Sequence, residues 1–165
     1  MRSAPSPARP ERTLEPEAAA DHLSRLYRLA WSLCGSRQLA EDATQETYLR
    51  VLSRTRRLHE TGDFPYLART LRNVLNDHWR AERRRAAHAA IPDPIRPTGD
   101  PELSAMAGEV FAAVAALPEH LRDVVAAVDV AGMSYAETAR AQRIPIGTVM
   151  SRLHRARTRL GGALA

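Results

Sequence analysis

A chain of 165 residues is long enough for one ordinary domain or two small helical ones, and too short for a large multidomain machine. Ala, Leu and Arg dominate, aromatic residues make up 5%, and β-branched residues seldom alternate with polar ones, so the expected fold class is all-α. The formal charge of +5 and a pI near 10.3 suit an anionic partner, either nucleic acid or an acidic membrane surface, without choosing between them.

Residues 1–16 read as a tail without regular structure, since Pro5, Pro7 and Pro10 interrupt it and no apolar core of a secretory signal is present. A cytoplasmic protein is expected. Even the most apolar stretch, LYRLAWSLCG, is broken by Arg28 and falls short of the roughly 18 residues of a membrane span, so no membrane insertion is expected. From Glu17 to Leu33 apolar residues return at helical spacing, with Leu23, Leu26, Tyr27, Ala30 and Leu33 on one face. Cys34 is the sole cysteine, which excludes an intramolecular disulfide and a thiolate-rich zinc site and leaves a buried thiol as the simplest reading. Gly35 stops the first helix and Ser36 caps the second, expected over Arg37 to Thr55 with Leu39, Ala43, Tyr48, Leu49 and Leu52 facing inward. A loop over His59 to Asp63 follows, and Pro65 suits the first turn of a third helix running to about Arg85. Three such helices with short connections can form a small bundle.

Pro92, Pro94, Pro97, Pro101 and Gly99 then make a regular element improbable, so residues 87–102 read as a flexible linker that leaves the placement of the two blocks to a bound partner. The second block opens with a helix over Leu103 to Ala115, followed by one from Leu117-Pro118 to about Val130 that Gly132 ends. Ser134-Tyr135-Ala136-Glu137 has the form of a capping box opening a short helix to Gln142. After Ile144-Pro145-Ile146-Gly147, Thr148 is expected to cap a last helix with Val149, Leu153, Ala156 and Leu160 on its inner side. Two helices joined by a tight turn make a helix-turn-helix.

No acidic residue follows Glu137, whereas Arg140, Arg143, Arg152, Arg155, Arg157 and Arg159 accumulate there. Ser151, Arg152, His154 and Arg155 lie opposite the apolar stripe, where they could meet base edges and phosphates in a major groove; the arginine fork suits guanine O6 and N7. These residues point to DNA recognition, while repressor, activator and initiation factor stay open.

GMSYAETARAQRIPIGTVMSRLHRARTRL resembles sigma region four, its IPIGTVMSRLHRAR segment most closely, and LAEDATQETYLRVL with FPYLARTLRNVLNDHWRAERRR resembles sigma region two. The short linker points to the compact extracytoplasmic-function (ECF) group of RNA polymerase sigma factors. That resemblance implies two small helical domains, a three-helix region two over 17–86 and a helix-turn-helix region four over 103–163. It implies that Asp42, Gln45 and Glu46 grip the β′ clamp helices of core RNA polymerase, while region four also meets the β flap. His59, Thr61, Asp63 and Asn73 fall where the family captures a flipped base of the −10 element. Arg69, Arg72, Asn76, Arg80 and Arg84, with Arg83, would track phosphates along the same helix. Ser151, Arg152, His154 and Arg155 fall where the −35 element is read, with Tyr135, Thr148 and Arg157 nearer the phosphates. Three departures stand out: Tyr66 in place of Trp, Met150 where a basic residue is common, and Gln142-Arg143 in place of Leu-Gly. The resemblance also implies promoter DNA and an anti-sigma factor as partners.

Two rival classes remain. An enzyme finds no support, since HExxH, Walker glycines and GxSxG are all absent and the six histidines are scattered, so no catalytic residue, metal or cofactor is expected. A stand-alone helix-turn-helix regulator is separated from a sigma factor only by the first block.

Overall fold

A computed structural model describes residues 12–13, 16–53, 57–58, 62–89 and 105–163. Eight α-helices follow one another among them: α1 (Pro16–Ala20), α2 (Leu23–Cys34), α3 (Arg37–Leu52), α4 (Asp63–Ala89), α5 (Ala105–Ala115), α6 (Glu119–Val125), α7 (Tyr135–Gln142) and α8 (Ile146–Ala163). A two-residue antiparallel ladder pairs β1 (Arg12–Thr13) with β2 (Arg57–Leu58), Arg12 opposite Leu58.

The first block packs α2, α3 and α4. Gly35, at φ 69°, takes the left-handed turn that ends α2 and donates its N–H to Trp31 O (2.8 Å). Ser36 then caps α3 by accepting the N–H of Leu39 at 3.3 Å. Leu26, Leu29 and Leu33 of α2 meet Phe64, Leu67, Leu71 and Leu75 of α4 in the core. The α3 face turned inward is Ala40, Ala43, Thr44, Thr47 and Val51. Both buried threonines are satisfied locally, Thr44 Oγ1 donating to Ala40 O and Thr47 Oγ1 to Ala43 O, each at 2.7 Å. Small residues on that face let α3 lie close to its neighbours, and this rotates Leu49 and Leu52 outward. They are 67% and 45% exposed, contrary to the inward positions expected of them. Leu23, at 50%, is likewise outside.

The single helix expected over Glu17 to Leu33 is broken at Asp21–His22, where His22 leaves helical ψ and lays its ring edge-on to Phe64 (centroids 5.6 Å). Tyr48 ties the resulting α1 to α3 by donating its hydroxyl hydrogen to Ala19 O at 2.5 Å. At the other end of the block, α3 stops at Leu52 rather than Thr55, and α4 starts at Asp63, two residues before Pro65, and runs to Ala89. Asp63, expected in the loop, is therefore the first residue of a helix.

In the second block, α6 widens into a π-helical turn over Ala126–Val130, and Gly132 (φ 64°) reverses the chain toward α7. Leu121, Val124 and Val125 pack there against Val149, Leu153 and Ala156 of α8. The turn between α7 and α8 uses Arg143 in the left-handed conformation (φ 56°, ψ 45°), the one non-glycine residue with positive φ among those described. Thr148 lies inside the first turn of α8 rather than capping it, because Pro145 O already accepts the N–H groups of Thr148 (2.9 Å) and Val149 (3.2 Å).

The two blocks lie against each other. The ring of Trp31 on α2 meets that of Phe111 on α5 at 4.5 Å between centroids. Arg25, whose guanidinium lies 3.7 Å from the Phe64 ring centre, donates from Nε to Ala131 O and from Nη2 to Gly132 O (3.1 Å).

Candidate nucleic-acid and protein interfaces

The sharpest surface is the outer side of α8. Val149, Leu153 and Ala156 are 2% exposed or less, and that fixes the roll of the helix. Met150, Ser151, His154 and Arg155 are consequently exposed and Arg152 is half-buried, so the positions expected to read DNA share the outer side. Ser151 donates its hydroxyl hydrogen to Thr148 O (3.1 Å), and Arg155 Nε donates to Ser151 O (3.3 Å) while the rest of its fork faces outward. The first helix of the pair is held by a complete capping box. Glu137 N donates to Ser134 Oγ (3.2 Å) and Ser134 N donates to Glu137 Oε2 (2.8 Å). The Ser134 N–H, opposed in part by burial and aided by the Ser134 hydroxyl and by Arg25, holds the Glu137 carboxyl below its ordinary value.

Tyr135 is exposed and Thr148 half-buried at the near edge of this surface. Arg157 is exposed but engaged, since its Nη2 and Nε donate to the two carboxylate oxygens of Asp129 at 2.6 and 3.0 Å. Those bonds raise the arginine's pKa further above its ordinary value. Asp129 sits on the π turn, 28 residues away in sequence, and no local pattern announced it.

Along α4, Arg69, Asn73, Arg80 and Arg84 are exposed and Asn76 half-buried, with spacings of three or four residues that align them down one side. Arg80 lies 3.7 Å from Asp77. Arg72 is turned to the adjoining side, where its Nη2 lies 2.5 Å from Asp123 Oδ2 on α6 of the other block. His59 and Thr61 lie outside the described residues.

On α3, Asp42 and Gln45 are exposed, while Glu46 accepts from Arg50 Nε at 2.7 Å, and Arg50 reaches on to Asp77 at 3.1 Å. Beside Gln45 runs an open apolar groove lined by Pro16, Ala20, Leu23, Tyr48, Leu49 and Leu52. The three leucines that sequence periodicity had assigned to the core are thus the floor and walls of a surface groove. Cys34 is 4% exposed and donates to Ser36 O at 3.2 Å, and burial pushes its thiol up to about 11. Among the described residues, no cluster of three His, Cys, Asp or Glu could hold a metal ion, and no helix is long and apolar enough to cross a membrane.

Comparison with known proteins falls on the same two blocks. Residues 19–85 match the family described as Sigma-70 region 2, and residues 107–160 match Sigma-70, region 4. The chain is 36% identical over 157 residues to the ECF RNA polymerase sigma factor SigE of Mycolicibacterium smegmatis, covering 90% of this chain and 61% of that protein. It is 36% identical over 150 residues to SigM of Mycobacterium tuberculosis (87% and 73%) and 30% identical over 142 residues to EcfG of Rhodopseudomonas palustris (84% and 78%). In structure it resembles the sigma factor RpoE from Bartonella quintana, solved in complex with the anti-sigma factor NepR, with a TM-score of 0.76, 23% identity and coverage of 90% of this chain and 94% of that one. CnrH, solved with the cytosolic domain of CnrY, gives a TM-score of 0.64 at 22% identity (90% and 85%).

Proposed function

The chain belongs to the ECF family of RNA polymerase sigma factors, and from that premise we propose that it directs core polymerase to a promoter and opens it, acting in the cytoplasm without catalysing a chemical step. In this reading residues 17–86 are region two and 103–163 region four, joined by the linker 87–102. The observation that carries it is the outer side of α8, where Ser151, His154 and Arg155 project from a helix without a single carboxylate. A side chain with that freedom can enter a major groove, and the fork of Arg155 can take two acceptors of one guanine. Thr148, Tyr135 and Arg157 then lie toward the flanking phosphates.

The −10 element falls to α4, whose Arg69, Asn73, Asn76, Arg80 and Arg84 would follow the non-template strand, with Asp63, His59 and Thr61 at the base-capturing end. Opening needs no chemistry: a protein that binds the melted strand better than the duplex shifts the equilibrium toward melting by that difference in affinity. Asp42, Gln45 and Glu46 would meet the β′ clamp helices, and the apolar groove beside Gln45 supports this, since a stable protein contact needs an apolar centre inside a polar rim. Region four would contact the β flap.

Control by an anti-sigma factor is part of the proposal. Both structural neighbours were solved with a protein partner, in RpoE's case one named as an anti-sigma factor. Run-off transcription from a promoter library, with purified core polymerase and with or without this chain, tests the reading. Transcripts from a defined subset only when the chain is added would support it, and background transcription after removal of any co-purified inhibitor would overturn it. Asp42→Arg should weaken holoenzyme formation without altering the fold.

A further inference from the structure

Two apolar side chains of α8 lie outside the core that the rest of the helix builds. Val149, Leu153 and Ala156 fill its inner side, yet Ile146 and Met150, one turn apart, are 50% and 54% exposed. Solitary exposed apolar residues are common. These two form a row that His154 continues one turn further on, beside the row of Gly147, Ser151 and Arg155. Gly147 is exposed and does not take a left-handed turn, and a Cβ placed on it would meet no atom within 4 Å. Neither the path of the chain nor packing among the described residues therefore requires a glycine there, while bare backbone lets another molecule come close. The surroundings are positive: Arg143 and Arg155 are exposed, Arg152 is half-buried and no acidic residue follows Glu137, so the molecule that comes close is an anion.

We propose that Met150, backed by Ile146, reads the C5-methyl group of a thymine in the −35 element, so that one base pair of the promoter is chosen by an apolar contact. The inference rests on the reading of α8 as the helix that enters the major groove. Base edges in that groove are hydrogen-bond donors and acceptors, and the thymine methyl is the apolar group that projects among them. A thioether on an unbranched chain has no donor for guanine or phosphate, but it moulds itself to a methyl group. Ile146 and Met150 also lie at the N-terminal end of α8, the end from which a recognition helix touches base edges. Met150 and Arg155 are separated by about 7.5 Å along the helix axis, so the thymine lies within about three base pairs of the guanine that Arg155 would take. Cytosine in the same place lacks the methyl and loses the contact, and 5-methylcytosine regains it.

The test removes the methyl group and nothing else. Full-length chain, alone and bound to core polymerase, first selects duplexes from a library with a randomised segment, which supplies the probe. Each thymine of the selected duplex is then replaced in turn by deoxyuridine, which pairs identically but lacks the C5 methyl, and affinity is read by fluorescence anisotropy. At one position, within about three base pairs of the guanine that Arg155 selects, deoxyuridine should weaken binding about fourfold, the worth of one buried methyl group. Met150→Ala should bind the thymine duplex more weakly by that factor and no longer distinguish it from the deoxyuridine duplex, whereas Met150→Leu should keep the distinction. At the same position the parent should prefer 5-methylcytosine to cytosine opposite guanine, and Met150→Ala should not. Because Met150 is exposed, these variants should keep the parent's stability, which urea titration checks. A selected duplex in which no deoxyuridine weakens binding, or in which the same loss persists in Met150→Ala, overturns the proposal and leaves the two side chains as part of a protein contact. If the chain enriches no duplex sequence, alone or with polymerase, the reading of α8 as a DNA helix falls together with it. If the methyl is read but the chain does not support run-off transcription, the contact stands and the sigma reading falls.

Discussion

Asp129→Asn separates the two uses of Arg157. In the unaltered protein this arginine gives both Nη2 and Nε to Asp129, at 2.6 and 3.0 Å, and its side chain is 54% exposed. A phosphate reached by Arg157 must compete with that pair, and the Asp129 carboxylate also repels the DNA backbone. Asparagine keeps the size and one acceptor but removes the charge, which frees the guanidinium at little cost to a fold that holds the pair at its surface. One additional phosphate contact steepens the dependence of log K on log salt by about 0.9, so between about 50 and 200 mM salt the variant should lose about 3.5-fold more affinity than the parent. The assay is fluorescence anisotropy of full-length chain on a labelled duplex carrying the −35 element and on a random duplex, at four KCl concentrations. Binding at low salt should tighten on both duplexes, because a phosphate carries no sequence. Superimposable salt plots for variant and parent would refute the assignment and leave Arg157 as a brace between α8 and the π turn.

Arg155→Ala should reduce discrimination for the −35 element by about 1–3 kcal/mol while barely changing binding to random DNA; equal losses on both would mean that Arg155 meets only phosphate. Thr138 is fully buried on α7 and its Oγ1 has no hydrogen-bond partner among the described residues, so Thr138→Val, which keeps the shape, should stabilise the protein by about 1–2 kcal/mol in urea titration. Destabilisation would reveal a partner for the hydroxyl. Because the Glu137 carboxyl is held below its ordinary value, the capping box contributes fully above the unfolded value of about 4.3 and loses its contribution as pH falls through the lower folded value. Glu137→Gln should therefore melt less steeply with acid than the parent, and parallel curves would dismiss the box as an acid-sensitive element. Arg122→Met should change stability by less than about 1 kcal/mol, since Asp123 keeps Arg72 and the apolar chain fills the same space, whereas Arg122→Ala should lose about 3 kcal/mol to a cavity.

The sequence was most legible where one residue type has one physical job. Gly35 and Gly132 end helices by backbone geometry, Ser36 starts one through its side-chain oxygen, and in the Ser134–Glu137 box each side chain accepts the other residue's backbone N–H; all four act locally, so a sequence window contains the whole cause. The outer side of α8 was legible for a related reason, because Val149, Leu153 and Ala156 fix its roll and the acids are missing from the whole tail. Leu23, Leu49 and Leu52 misled because a leucine belongs equally to a core or to a docking groove, and α3 chose its inner face by how closely alanine and threonine let it approach its neighbours. Arg72–Asp123 and Arg157–Asp129 could not be read at all. Each pair joins distant positions, and only the packing of one block on another, or of α8 on the π turn, brings them within reach.

These pairs bear on what the charge of the protein means for binding. A net +5 is the difference between 24 basic and 19 acidic residues, and the structure shows how part of the difference is used. Arg72 and Arg157 are matched with carboxylates of the second block, and Arg50 with Glu46 and Asp77, while Arg69 and Arg155 face outward from their helices. A phosphate arriving at an outward arginine only displaces water and counterions, whereas one arriving at Arg72 or Arg157 must also replace an anion already in place. In the proposed reading, these two pairs therefore damp the affinity for DNA of any sequence.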